Sequence, residues 1–358
     1  MGTTTNTGDV VVPTGSTSAA ESTRAGIAGR EPRPTRVVVL AGGLSHERDV
    51  SLRSGRRVAE ALRETGVEVD VSDVDADLLR LLRDDRPDCV VPLLHGETGE
   101  DGAVREVLEL VGLPYVGSRP SACRVAFDKP VAKAVVARAG IHTPAGVTLP
   151  HETFRELGAA AVMDALIASV GLPLFVKPAR GGSALGCTVV RDASALASAM
   201  VGAFAYGDTA LVEAFVEGTE VAVPVVDTAD GARALPVVSI EPDGGVYDYT
   251  ARYTAGSTSF EVPAKLTDEL SAECARVAVL AHESLGLRDL SRSDLIIAAD
   301  GTVWFLEVNV APGLTETSTV PLAVTAAGLD LGDLVADLVQ AAIVRSVPPL
   351  PATTPDGS

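Results

Sequence analysis

The sequence predicts an α/β fold in three lobes, the first of which contains a small parallel sheet. Short apolar runs alternate with helical segments in the first third of the chain. A strand, a glycine-rich loop and a second strand follow in the middle, and long strands with a closing hairpin occupy the last third. The chain has 358 residues, enough for two or three domains of roughly 100–200 residues each.

The first predicted lobe covers residues 36–118. Its helix follows the first strand, carries Val58 and Leu62 on one apolar face, and ends at Gly66. The predicted strands of this lobe are residues 37–40, 67–71 and 89–94. Since strands and helices alternate, we expect a parallel sheet with its site at the carboxyl ends of the strands.

The central lobe is predicted over residues 119–214 and the last lobe over residues 215–347. A helical stretch with Pro130 near a helix start and Gly140 at its end opens the central lobe. The later predicted strands are residues 174–177, 187–190, 210–216, 220–226 and 234–240, with a helix near 267–285. Residues 1–35 and 348–358 are polar or proline-rich without an apolar period, which predicts disordered tails.

Composition excludes several classes of protein. The net charge of −19 argues against a nucleic-acid partner, which needs a basic surface. No apolar run reaches the ~20 residues of a membrane span, and the amino terminus lacks a signal-peptide pattern. The four cysteines are scattered without a CxxC pair. We therefore expect reduced thiols and a cytoplasmic protein with no membrane partner.

A glycine-rich loop, FVKPARGGSALG, covers residues 175–186 between two predicted strands. Because it closes a hairpin, it is neither of the phosphate fingerprints that open a helix. Its glycines still allow backbone N–H groups to approach phosphates closely, with Lys177 pointing at them. The alternative is a flexible exposed hairpin. Lys177 favours a phosphate site, because the chain has only four lysines against 25 arginines.

The strongest constellation is the last hairpin, SRSDLIIAADGTVWFLEVNVAPG, with Asp300-Gly301 at its turn. A two-residue loop would place Asp294 opposite Glu307 and Arg292 opposite Asn309 on one face. That face is predicted to carry also Ile296, Ala298, Val303 and Phe305. Opposed carboxylates on a half-buried surface repel each other, and Mg²⁺ would remove this cost. The alternative is an exposed hairpin end with water between the acids.

Three further segments are ambiguous on their residues alone. Glu47 in GGLSHERDVS follows the first strand, and His95 follows the third. Each is as consistent with a surface or structural position as with a site. The segment YDYTARYTAGST, residues 247–258, is either a surface loop or a lid over the site.

Taken in order, these segments resemble the D-alanine–D-alanine ligase family of the ATP-grasp superfamily. The motifs that carry the resemblance are GGLSHERDVS, LLHGETGEDG, FDKPVAK, FVKPARGGSALG, YDYTARY, SRSDL and LEVNVAPGLTETSTVP. The match covers nearly the whole folded region, from about residue 37 to about residue 342. The resemblance implies a three-lobed ATP-grasp fold, in which ATP lies between the central and last lobes. It also implies ATP and D-alanine as small-molecule substrates, two Mg²⁺ or Mn²⁺ ions per site, and a homodimer.

The resemblance also implies a role for each matching residue. It assigns ATP to Lys129, Lys177, Glu213, Ala214, Val216, Glu220 and Arg252. The lysines would hold the α/β-phosphates, Glu213 with the backbone of 214–216 the adenine, and Glu220 the ribose. It assigns the metal ions to Asp294, Glu307 and Asn309.

For catalysis, the family implies roles for Glu47, Ser183, Tyr253, Arg292 and Gly313. Glu47 would hold the ammonium of the first D-alanine, linked to Ser183 and Tyr253. Arg292 and the Gly313 N–H would stabilise an oxyanion. For substrate binding it implies His95 near the first carboxylate, Ser318 at the second carboxylate, and Thr319 in the second pocket.

Three positions depart from the family pattern. Arg252 replaces a lysine thought to reach the γ-phosphate, Gly181 replaces a commoner small polar or acidic residue, and Thr319 replaces an apolar one. We expect the Thr319 hydroxyl to bond the local backbone; the alternative is that it faces the pocket and favours D-serine. Two other functions stay open: an ATP-grasp ligase for another acid and amine in natural-product synthesis, and a nucleotide-binding module without catalysis.

Overall fold

The structure, a computed structural model, describes residues 35–243 and 257–345. Arg252, Tyr253 and nearly all of the predicted lid and tails lie outside the described residues. Among the described residues, none of the helices is both long enough and apolar enough to cross a membrane.

The first sheet is parallel, as predicted, and its strand order is β2–β1–β3. Its strands are β1 (Arg36–Leu40), β2 (Glu68–Ser72) and β3 (Cys89–Pro92). Its helices are α1 (Arg48–Glu64), α2 (Leu78–Asp84), α3 (Glu97–Glu100) and α4 (Ala103–Leu110). Apolar side chains of β1 and β3 are fully buried between α1 and the later helices. This packing fixes the ends of the strands and the start of the loops that follow them.

The second sheet is antiparallel, in the order β4–β7–β5–β6. Two helices precede it, α5 (Pro120–Phe127) and α6 (Lys129–Arg138). Its strands are β4 (Gly146–Pro150), β5 (Leu174–Pro178), β6 (Thr188–Val190) and β7 (Thr209–Ala214). Its further helices are α7 (His151–Leu157), α8 (Ala159–Val170) and α9 (Leu196–Phe204). The pairing of β5 with β6 confirms that the glycine-rich loop closes a hairpin.

The third sheet is also antiparallel, in the order β11–β10–β8–β12–β13, with β9 paired to β8. Its strands are β8 (Gly218–Thr228), β9 (Gly231–Ala234), β10 (Val238–Pro242), β11 (Thr258–Glu261), β12 (Leu290–Ala298) and β13 (Val303–Asn309). Its helices are α10 (Asp268–Ser284), α11 (Thr319–Ala326) and α12 (Leu331–Val344). The single strand predicted over residues 234–240 was wrong. Pro236 interrupts it, because a proline has no N–H for the ladder.

Packing crosses the chain order of the predicted lobes. The last helix, α12, packs on α1 and β3 of the first sheet. Helices α5 and α6 share an apolar core with α10, β12 and β13 of the third sheet, whereas the second sheet has its own core. The third sheet therefore contacts both flanking groups of elements, which brings their loops to its edge.

The predicted register of the last hairpin holds only at its far end. Asp294 pairs with Glu307 and Arg292 with Asn309, as expected. Nearer the turn, Leu295 pairs with Phe305 and Ile297 with Val303, because a β-bulge shifts the register after Asp294. Phe305 and Val303 therefore pack into the core on the opposite face, and their predicted place beside Asp294 was wrong. The turn is longer than the two residues predicted, and the bulge compensates for this difference, so the pair of Asp294 and Glu307 is unchanged.

Candidate active site

The site is built around Glu47, which lies directly before α1 in the loop that follows β1. Its carboxylate accepts a hydrogen bond from the hydroxyl of Ser183, in the glycine-rich loop. Ser183 has φ +55°, a left-handed conformation that a non-glycine residue rarely adopts. The structure thus brings together two of the predicted catalytic residues from different sheets.

Glycine backbone closely surrounds the Glu47 carboxylate. A Cβ added at Gly182 would lie 3.3 Å from Glu47 Oε2, and one at Gly96 would lie 3.4 Å from it and 2.8 Å from the Cβ of Ser45. Gly96 also has φ +79°. Side chains at these two positions would narrow the space around the carboxylate.

Ser51, a buried residue of α1, connects two strand ends of the first sheet. The α1 helix starts at Arg48, without a side-chain cap. Ser51 Oγ accepts from Gly42 N at 2.8 Å and donates to the Leu93 carbonyl at 2.6 Å. It therefore fastens the end of β1 to the end of β3 beneath the site.

His95 and Glu100 lie buried in the same cavity as Glu47. His95 Nδ1 is 2.9 Å from the Ala311 carbonyl, so Nδ1 carries the proton. Its Nε2 is buried without a hydrogen-bond partner among the described residues, and burial lowers the pKa of His95. Burial, followed by the charge of Glu47, raises the pKa of Glu100 to about 8.

The opposite wall of this cavity contains Arg292, Gly313 and Ser318. Arg292 holds Asp294 in a two-pronged ion pair, with N–O distances of 2.6 and 2.8 Å. A Cβ added at Gly313 would lie 2.9 Å from Ser318 Oγ, so a side chain at this position would displace the Ser318 hydroxyl. Ser318 Oγ also accepts from Thr315 N at 3.1 Å. These contacts hold the backbone of the loop after β13 against the cavity.

Thr319 is buried at the start of α11 and lines the same cavity. Its hydroxyl was expected to bond the local backbone. Instead, Thr319 Oγ1 is buried without a partner among the described residues. The expected bond to the local backbone is therefore not formed.

This cavity has a volume of about 580 Å³, and a second cavity of about 510 Å³ adjoins it. The second lies between the second and third sheets. Its apolar wall consists of Phe175, Phe215, Val216, Ile240, Ile296 and Leu306. Such a slot suits a planar aromatic base, and the predicted adenine and ribose residues Glu213, Ala214, Val216 and Glu220 line it.

The two lysines predicted to bind phosphate both line the second cavity, and one of them also lines the first. Lys129 lines both cavities, donates to the Gly181 carbonyl at 2.5 Å and lies 3.5 Å from Glu307. Lys177 lines the second cavity only and lies 2.9 Å from Glu213. Burial lowers the pKa of Lys177, but the charges of Glu213 and Glu307 outweigh it, so the pKa is raised. Both predicted phosphate lysines therefore line the second cavity.

The predicted metal ligands fit a divalent cation. Asp294 and Glu307 face each other across β12 and β13 and line both cavities. Asn309 lies next along β13, and its Oδ1 accepts from Ala311 N at 2.8 Å. Within the described ranges, no three His, Cys, Asp or Glu side chains form a metal site by themselves. An ion here would need the Asn309 oxygen or phosphate oxygens as well, and oxygen donors suit Mg²⁺.

Two residues of the site were missed at the sequence level. Lys133 is buried on α6 and forms an ion pair with Glu213. The scarcity of lysine was a usable signal, since three of the four lysines converge on this region. Glu100 lies within the motif LLHGETGEDG but no role was assigned to it. The predicted Arg252 and Tyr253 lie outside the described residues, so the structure does not place them.

Comparison with known proteins gives a consistent picture. The family model described as D-ala D-ala ligase C-terminus matches residues 135–340, and that described as D-ala D-ala ligase N-terminus matches residues 80–118. The chain is 39% identical over 311 residues to a D-alanine–D-alanine ligase of Anaeromyxobacter sp. (strain Fw109-5), covering 87% of this chain and 98% of that protein. It is 39% identical over 319 residues to the same-named protein of Bordetella petrii, covering 88% and 95%.

Solved structures agree with the sequence relatives. The VanG D-Ala:D-Ser ligase of Enterococcus faecalis has a TM-score of 0.73 and 28% identity, covering 87% of this chain and all of that chain. The D-alanine–D-alanine ligase of Bacillus anthracis, solved with ATP, has a TM-score of 0.72 and 27% identity, covering 87% and 98%. The fold is thus that of the ATP-grasp ligases, and the chain belongs to the D-alanine–D-alanine ligase family.

Proposed function

We propose that the protein is an ATP-dependent ligase that joins two D-alanine molecules into D-alanyl-D-alanine for peptidoglycan precursors. The observation that carries the proposal is the junction of the two cavities. Lys129, Asp294 and Glu307 line both of them, so a nucleotide in one would present its phosphates to a small acid in the other. The names and the extensive similarity of the curated relatives support D-alanine as that acid.

The first step makes the carboxylate reactive. A carboxylate oxygen of the first D-alanine attacks the γ-phosphorus, and the bond from that phosphorus to the oxygen of ADP breaks. The product is an acyl phosphate. Catalysis of this step depends mainly on positioning and on charge neutralisation. Glu47 would hold the ammonium, while Lys129 and Lys177 would hold the phosphates.

The second step forms the amide. The neutral amine of the second D-alanine attacks the acyl carbon and a tetrahedral oxyanion forms. The bond from the acyl carbon to the former carboxylate oxygen then breaks, and phosphate leaves with that oxygen and with the proton that the nitrogen loses. Arg292 and the Gly313 N–H would stabilise the oxyanion. Ser318 would hold the second carboxylate, and His95 would lie near the first. Exclusion of water from the site during the reaction would limit hydrolysis of the acyl phosphate.

Asp294, Glu307 and Asn309 would hold two Mg²⁺ or Mn²⁺ ions, whose charge neutralises the phosphates during transfer. We further propose that Glu220 holds the ribose and that Arg252 and Tyr253 act from the lid. We also propose that the three lobes cover residues 36–118, 119–214 and 215–347. The protein is proposed to be a homodimer and to lie in the cytoplasm. The free cysteines among the described residues are compatible with a reducing compartment.

The test is ATP turnover with purified protein, Mg²⁺ and single amino acids. We expect ADP release that requires D-alanine, with D-alanyl-D-alanine as the product by mass spectrometry. Turnover with another acid and amine, and none with D-alanine, would favour the alternative ligase. Nucleotide binding without turnover for any acid would favour a module that no longer catalyses.

A further inference from the structure

Lys133 is a buried lysine that reaches the nucleotide cavity only through another residue. It forms an ion pair with one oxygen of Glu213, whose other oxygen lies 2.9 Å from Lys177 Nζ. The three side chains come from α6, β7 and β5, and each is less than one-tenth exposed. Glu213 and Lys177 line the cavity, whereas Lys133 lies behind them and lines neither cavity.

The charges of this trio do not balance. When both lysines are protonated, two cations share one carboxylate, which leaves one net positive charge beside the cavity. Other cations lining the cavity have a carboxylate partner each: Lys129 has Glu307, Arg180 has Asp128, and Arg191 has Glu217. A buried surplus charge is costly unless an anion completes it.

Without Lys133, Lys177 and Glu213 would form a neutral pair. A phosphate would then have to compete with the carboxylate for the Lys177 ammonium. With Lys133 present, Glu213 keeps a partner when Lys177 turns to the phosphates, and the surplus charge remains for the anion. At partly buried sites, a unit charge a few ångströms away contributes far more than it does in water.

We propose that Lys133 is a positioning residue for nucleotide phosphates, which acts by neutralising Glu213 so that Lys177 is available to the phosphate oxygens. The proposal rests on the assignment of this cavity to ATP under the proposed function. Lys133 acts on the phosphates without touching them, so its effect must depend on the charge of the ligand.

The test measures dissociation constants for ADP and for adenosine by titration calorimetry without Mg²⁺, so that the metal ligands play no part. The quantity of interest is the dissociation constant of adenosine divided by that of ADP. This ratio measures the contribution of the phosphates to binding, because the two ligands share the same base. We expect Lys133→Met to lower this ratio about tenfold or more, the scale of a charge-assisted contact. The matched control is Lys265→Met, which removes an exposed lysine paired with Glu261 and should leave the ratio unchanged.

A second variant restores the charge rather than the lysine. Adding Glu213→Gln to Lys133→Met returns the cluster to one net positive charge. The ratio of dissociation constants should therefore recover most of its wild-type value. If Lys133→Met alone does not fold, the step from Glu213→Gln to the double variant removes the same charge and should lower the ratio. A merely structural role would weaken adenosine and ADP equally.

An unchanged ratio in Lys133→Met, or no recovery in the double variant, would overturn the proposal. Failure of the wild-type protein to bind ADP at all would instead refute the ATP site, and with it the proposed function. The two failures are therefore distinguishable in one series of titrations.

Discussion

The hydroxyl of Ser183 donates a hydrogen bond to Glu47, a residue 136 positions earlier in the chain. This contact joins the glycine-rich loop of the second sheet to the loop after β1 of the first. Both residues line the cavity assigned to the amino acids. The bond therefore fixes the glycine-rich loop over that cavity.

Removing this bond should impair the reaction more than it impairs nucleotide binding. We expect Ser183→Ala to lower kcat/KM for D-alanine at least about tenfold, because Glu47 loses the group that orients it. The dissociation constant of ADP should change by less than about threefold. Ser194→Ala, at an exposed serine of the same sheet region, is the matched control. Equal losses in ADP affinity and in kcat/KM would show that Ser183 serves the nucleotide instead.

The acids of the last hairpin should act through metal rather than through folding. Glu307→Gln should abolish turnover, because the site loses one of two facing carboxylates. The Tm measured without Mg²⁺ should stay close to that of the wild type. Glu283→Gln, exposed on α10, provides the control for loss of one charge. Normal Mg²⁺-dependent turnover in Glu307→Gln would remove the metal assignment.

Nucleotide affinity should depend on pH through Lys133. Burial, followed by the charge of Lys177, lowers the pKa of Lys133 to about 7; Glu213 and Glu307 act in the opposite direction. The protonated form favours phosphate, so ADP affinity should fall as pH rises through about 7, and binding should take up a proton. The readout is the difference in ADP affinity between wild type and Lys133→Met, which cancels the titration of ADP itself. A difference that stays constant from about pH 6 to 9 would contradict this expectation.

The fate of the Thr319 hydroxyl can be tested through stability and selectivity together. Because Oγ1 is buried without a described partner, Thr319→Val should raise the free energy of unfolding, by up to about 1–3 kcal/mol. Thr325→Val, exposed on the same helix, should not raise it.

The second-substrate pocket should select D-alanine. D-alanine should be preferred over D-serine as second substrate in wild type and Thr319→Val, with a shift in this preference of about tenfold or less in Thr319→Leu. A wild-type preference for D-serine would show that the hydroxyl serves the pocket.

Local patterns predicted the elements well where a single physical rule acts. The parallel first sheet followed from strand–helix alternation, and the facing of Asp294 and Glu307 from the hairpin turn. The bulge beside Leu306 was not predictable. The turn is longer than predicted, and the bulge adds one residue to β13, so the two differences cancel at the pair of Asp294 and Glu307. Sequence rules describe an ideal ladder, and an extra residue in one strand leaves little trace in composition.

Contacts between distant segments were beyond the local rules. Nothing in the spacing of Lys133 indicates that it meets Glu213, 80 residues away. Its identity as one of four lysines was the one available hint. Placement of Glu47 beside Ser183 was implied by the family resemblance and not by any local pattern. Tertiary packing decides such pairs, and only the fold shows them.

The central claim is that a carboxylate from one cavity attacks the phosphate held in the other. The most direct measurement uses D-alanine labelled with ¹⁸O in its carboxylate and follows the label by mass spectrometry of the phosphate released. We expect one ¹⁸O atom in each phosphate formed with a dipeptide, because the attacking carboxylate oxygen leaves with the phosphoryl group. Phosphate without ¹⁸O, formed alongside the dipeptide, would contradict the acyl phosphate and the proposed use of the two cavities.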